Sequence, residues 1–147
     1  MKSKAPLILM EQMAMLLVFA LAAALCLQAF VKSDSISSRS ENRDRAAALV
    51  QTVAETVRSS GDTPAQAIAA AAEKLGYHCE QAVLWQDFDR DWAPVEQEAG
   101  VYHLDVQSVP TEVDGLNAAL VAVVAEEESD VLFSVEVAWQ GGLERNG

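Results

Sequence analysis

Residues 13–31 form an apolar run of nineteen residues with one polar interruption, Gln28. As a helix this run is roughly 28 Å long, about the thickness of a bilayer's hydrocarbon core. A soluble surface helix is apolar along one stripe only, so apolarity on all faces predicts membrane insertion. Residues 33–42, "SDSISSRSEN", are poor in strong helix formers and predict a short linker or a weakened stretch of helix. Then Ala46, Leu49, Val50, Val53, Ala54 and Val57 recur at helical spacing. Their stripe ends near Gly61 and is expected to pack on a sheet of the chain's own domain.

"DTPAQAIAAAAEKLG" carries the punctuation of a second helix. Thr63 or Asp62 can cap it, Pro64 suits the first turn, Gln66 follows Thr63 by three, and Gly76 stops it. From Tyr77 onward the period changes to two. Residues 82–86 read as a strand, and in 101–109 Tyr102, Leu104 and Val106 alternate with His103, Asp105 and Gln107. Residues 118–125 are almost continuously apolar, as in a central strand. Val131, Phe133, Val135, Val137 and Trp139 alternate with Ser134 and Glu136, and "EEESD" between the last two strands reads as a charged hairpin loop. A long N-terminal helix with a transmembrane first half, a short second helix and about four antiparallel strands make an α+β protein. The expected organisation is a basic leader at 1–6, a transmembrane helix at 7–32, an amphipathic helix extension at 33–61 and an acidic α+β domain at 62–147.

Charge sharpens this division. Residues 62–147 hold 17 Asp and Glu against Lys74, Arg90 and Arg145, a formal charge of −14. Such a surface repels nucleic acid and other phosphates, so no nucleic-acid partner is expected. A solvated acidic face accounts for it. The two cysteines, Cys26 in the apolar run and Cys79 in the polar domain, are too differently placed to pair. The run exceeds a usual signal-peptide core, Leu25 precedes Cys26, and no small-x-small site precedes Lys32, so an uncleaved anchor is expected. The count of Lys and Arg does not fix orientation, because Lys2 and Lys4 on one side face Lys32, Arg39, Arg43 and Arg45 on the other. A short tail before a long acidic domain favours a cytoplasmic N-terminus and an extracytoplasmic domain in the cell membrane.

Glu11 stands out against this background. Leu7, Ile8, Leu9 and Met10 precede it and the long apolar run follows, so the carboxylate lies within one apolar helix over 7–31. If residues 13–31 span alone, Glu11 rests among headgroups, but the four apolar residues upstream are then unexplained. An acid inside the hydrocarbon needs a cation or a protein surface as partner.

The stretch Lys4-Ala5-Pro6-Leu7-Ile8-Leu9-Met10-Glu11, followed by a long apolar helix that turns amphipathic, resembles the N-terminus of the type IV pilins and type II secretion pseudopilins. The resemblance implies a prepilin peptidase cut between Pro6 and Leu7, which makes Glu11 the fifth residue of the mature chain. Pro6 stands where that family usually has Gly, and Leu7 where it usually has Phe. It further implies a pilin-like fold and a non-catalytic structural subunit whose partners are the lipid bilayer and other pilin-like subunits, with Glu11 at the subunit contact. The alternative is a single-pass tethered binding domain that forms no filament.

Other chemistry finds little support. His78 and His103 read as surface residues, and no Gly-rich phosphate loop, H-E-x-x-H or nucleophile elbow occurs, so neither catalysis nor a cofactor is expected. In "DFDRDWAPVEQE", Asp87, Asp89 and Asp91 stand at positions 1, 3 and 5 of a calcium loop and Glu98 at position 12. Trp92 occupies the position that needs Gly, however, and the flanks read as strands, so a solvated hairpin loop is the preferred reading. Trp85, Trp92 and Trp139 could form a ligand platform but are ordinary content for an α+β core.

Overall fold

The computed structural model describes residues 5–96, 99–126 and 130–141. The chain divides into two compact units, Met1–Glu41 and Asn42–Gly147. Helix α1 is Ala5–Arg58, 54 residues long. The stretch 33–42 is helical throughout, which settles the choice between linker and helix. It holds no Gly or Pro, and its serines each cost only a few tenths of a kcal/mol, about 0.5, in a helix interior.

In the second unit, Ala46, Val50, Val53, Ala54 and Val57 of α1 are buried, the spacing of a single helical face. Each buried valine contributes about 1.5–3 kcal/mol through removal from water. Helix α2, Pro64–Leu75, buries Ala67, Ile68, Ala71 and Ala72 in the same cluster. Both of its ends follow the sequence signals. Thr63 is the N-cap, and its Oγ1 accepts the Gln66 N–H at 3.4 Å. Gly76 closes the helix at φ 72°, a left-handed conformation that costs glycine nothing, and the Tyr77 N–H donates to Ala72 O at 2.9 Å. Thr63→Ala lowers the unfolding free energy by about 1 kcal/mol, measurable by urea titration of the full chain in detergent micelles.

Among the described residues six strands form one antiparallel sheet: β1 His78–Glu80, β2 Val83–Phe88, β3 Pro94–Val95, β4 Tyr102–Val109, β5 Leu116–Ala125 and β6 Asp130–Gln140. The order is β1-β2-β4-β5-β6, with β3 also paired to β2. The sheet therefore has two strands more than the four expected. β1 and β3 have three and two residues, too few for an alternation to register. Pro94 also argues against a strand by sequence, although a proline is tolerated at a sheet edge.

Register sets the rows of the core. Leu84 lies opposite Val106, which lies opposite Val121, and Gln86, Leu104 and Val123 form the next row. All six are buried, and the five apolar ones belong to the cluster that includes the two helices. Gln86 is the polar member, and its Nε2 donates to Asp87 O at 2.9 Å and Val95 O at 3.1 Å, holding the short β3 in place. A bulge interrupts the β5–β6 pairing at Val123/Val124 and leaves Leu132 buried as the extra residue. The link between α1 and α2 is tied to the far strands. Trp139 Nε1 donates to Gly61 O at 3.1 Å and Asn117 Nδ2 to Asp62 O at 2.6 Å. Gly61 has no room for a side chain, because a Cβ there would lie 2.7 Å from Ala67 N.

Candidate functional site

Two places carry side chains that the fold does not need for packing alone. The first is the apolar part of α1. Among the described residues it is the one helix long and apolar enough to cross a membrane by length and composition, and none of its most apolar window is buried. Leu7, Ile8, Leu9, Leu16, Leu17, Phe19 and Phe30 are all exposed, with Phe19 at 74%. Pro6 and Leu7 lie in the described start of this helix, and Glu11 lies exposed among these residues. The positions one helical turn from Glu11 are Leu7, Ile8, Ala14 and Met15, so its own helix offers it no cation at that distance. Lys4 lies outside the described residues.

The second place is on the sheet face opposite the helices. There Asp87 of β2 is the cross-strand partner of His103 on β4, and Val124 and Val131 continue the row. The Asp87 side chain is 4% exposed, that of His103 33%. His103 Nδ1 meets Asp87 Oδ1, while Nε2 lies 3.8 Å from Glu126 Oε2. Asp87 Oδ2 is buried without a hydrogen-bond partner among the described residues. Gly100 covers the pair so closely that a Cβ would lie 2.7 Å from Asp87 Cβ. His103 is therefore not the free surface residue that its polar strand position suggests. Among the described residues, both ring nitrogens face carboxylates.

The pairing was hidden because it depends on register. Asp87 and His103 meet only once β2 and β4 are neighbours with Phe88 opposite Tyr102, and the β3 excursion separates them in sequence. The usable signal was Asp87 itself, an acid beside Phe88 in a strand that opens with Val83, Leu84 and Trp85.

The structure separates the aspartates of the acidic stretch. Asp87 points to His103, whereas Asp89 Oδ1 accepts the N–H groups of Asp91 and Ala93, both at 2.9 Å, and so closes the β2–β3 turn. Glu98, the fourth calcium candidate, lies outside the described residues. Among the described residues no three of His, Cys, Asp and Glu gather in a metal-holding group. Trp92 adopts φ 64°, the left-handed conformation that the Gly position of such a loop would have. Its ring stacks on Tyr102 with centroids 4.3 Å apart, and its Nε1 donates to Asn42 Oδ1 at 3.4 Å. The other tryptophans have different surroundings: Trp85 stacks on His78 at 4.3 Å, and Trp139 is buried in the core. Cys26 and Cys79 are both free and exposed.

No protein family model, curated protein or solved structure matches the chain.

Proposed function

We propose that the chain is a membrane-anchored, non-catalytic structural subunit of a pilus-like or type II secretion-like assembly. Residues 7–32 lie in the cell membrane, the N-terminus is cytoplasmic and the acidic domain is outside. The observation that carries this reading is Glu11, exposed on an apolar helix with only apolar residues one turn away. An isolated carboxylate is costly in hydrocarbon, and a neighbouring molecule's positive charge removes that cost. The same helix ends in a stripe packed into an antiparallel α+β domain, as a pilin-like subunit requires. A prepilin peptidase cutting between Pro6 and Leu7 would create a free amine four residues from Glu11, a suitable partner for the carboxylate of an adjacent subunit.

Glu11→Ala tests this directly. The variant inserts in the membrane as well as wild type but enters the assembly about tenfold less, the ratio corresponding to 1.4 kcal/mol. Site-specific crosslinking between anchors in intact membranes reads the difference. Equal crosslinking in wild type and variant removes Glu11 as a contact residue and leaves a monomeric tethered domain.

A further inference from the structure

We propose that β6 is a homotypic docking edge, to which a second copy of this chain adds its own β6 antiparallel, with Val135 opposite Val135. Among the described residues β6 has one strand neighbour, β5, so the other side of its backbone pairs with no strand. The opposite edge of the sheet is made by β1 and β3, three and two residues long, and shortness protects it. β6 has eleven residues and holds no Pro, Lys or Arg, which commonly block strand addition. Its outward N–H and C=O groups are a template for one more strand.

The pattern along β6 names the occupant. Val135 is the midpoint of Asp130–Gln140, so a two-fold axis through it overlaps the two strands end to end. Phe133, Val135 and Val137 lie on the helix side, opposite Val123, Val121 and Ala119 of β5, and are only half-buried. Under that axis Phe133 meets Val137 and Val135 meets its own copy, which removes these side chains from the water still on them. On the other face the exposed Ser134 meets the exposed Glu136, once on each side of the axis.

Charge selects this register. The chain is strongly acidic, yet here no carboxylate of β6 lies opposite another, and Asp130 falls at the end across from Gln140. Centring the pair one residue on would set Glu136 against Glu136, a destabilising like-charge pair. Phe133–Val137 also lies to one side of the bulge at Val123/Val124, so the pairing is regular across it. Two-fold pairing is isologous and closes at two copies. It draws on the sheet-bearing unit alone and requires nothing of Glu11.

Disulfide crosslinking of the full chain in membranes tests the contact, in a background carrying Cys26→Ala and Cys79→Ser. Directly opposed residues of an antiparallel pair have Cα atoms about 4.5–5.5 Å apart, within disulfide reach. Val135→Cys therefore gives a disulfide-linked dimer on mild oxidation. Ser134→Cys or Glu136→Cys alone gives none, because each lies roughly 8 Å from its own copy, but the two coexpressed crosslink to each other. Both positions are exposed, so this mixed pair keeps the test valid if Val135→Cys fails to fold. With Val135→Cys as reporter, Ser134→Glu lowers and Ser134→Lys raises the initial crosslinking rate about two- to fivefold, through two cross-strand pairs with Glu136. Absence of dimer from both Val135→Cys and the mixed pair overturns the proposal. So does an adduct of Val135→Cys with a different protein, or equal crosslinking by Glu136→Cys alone.

Discussion

Truncating Ile68 to alanine lowers the unfolding free energy of the sheet-bearing unit by about 2–5 kcal/mol, a large share of the roughly 5–15 kcal/mol that holds a domain of this size together. Ile68 is fully buried, and it is the large member of a face otherwise made of Ala67, Ala71 and Ala72. Small side chains let α2 lie close to β2 and β1, and Ile68 is the large fully buried side chain of the helix. The neighbouring alanines cannot reach into the cavity left by its removal, and the cap at Thr63 and the stop at Gly76 restrain the helix from sliding inward. The cost should therefore fall in the upper half of the range for a buried aliphatic residue. Urea unfolding of the full chain in detergent micelles, followed by tryptophan fluorescence, measures it. Val113→Ala is the control, because Val113 is 61% exposed and its truncation stays within about 0.5 kcal/mol. A loss below about 1 kcal/mol at Ile68 would show that α2 is not seated as described.

The contrast between α2 and the rest shows which parts of the fold local chemistry specifies. A cap, a first-turn proline and a terminal glycine act within one turn of themselves, so both ends of α2 were legible from fifteen letters. The stripe at 46–57 was legible for a related reason: five buried positions share one helical face. Strands β4 and β6 are long enough to show their period of two, and β5 its continuous apolar run, and the observed bounds differ from the expected ones by one or two residues. β1 and β3 were not legible, because their existence depends on β2 being there to pair with.

The same dependence hid the Asp87–His103–Glu126 group. No local rule links residues 16 and 23 positions apart, and each alone has an ordinary solvated explanation. Only the antiparallel register places Asp87 across from His103, and the β5 pairing then brings the chain round to Glu126. The acidic stretch also needed the fold to be read. Its spacing suggested a common ligand, yet strand geometry sends Asp87 to one face while Asp89 is spent on its own turn. Glu11 was the reverse case. Its oddity is one of composition, visible from the sequence alone, and the helix leaves its apolar surroundings as they were read.

On the proposed reading of α1 as a membrane anchor, replacing Leu17 and Leu21 together by arginine releases the chain from the membrane. The apolar segment at 7–31 contains twelve Leu, Ile, Val and Phe residues, which together favour insertion by roughly 4–7 kcal/mol on a biological insertion scale. Two arginines near the middle cost about 5–7 kcal/mol and also remove two of the favourable leucines, so the balance turns against insertion. Leu17 and Leu21 are one helical turn apart and both exposed, so the charges share a face and find no buried partner in their own helix. Neither can reach the headgroups easily from the centre of the segment. Alkaline extraction of membranes reads the result: wild type stays in the pellet, and the double variant appears in the supernatant or is degraded. The sheet-bearing unit has its own core from residue 46 onward, so soluble double variant keeps the unfolding transition of that unit. Retention of the double variant in the pellet would mean that the apolar helix is held by protein rather than by lipid.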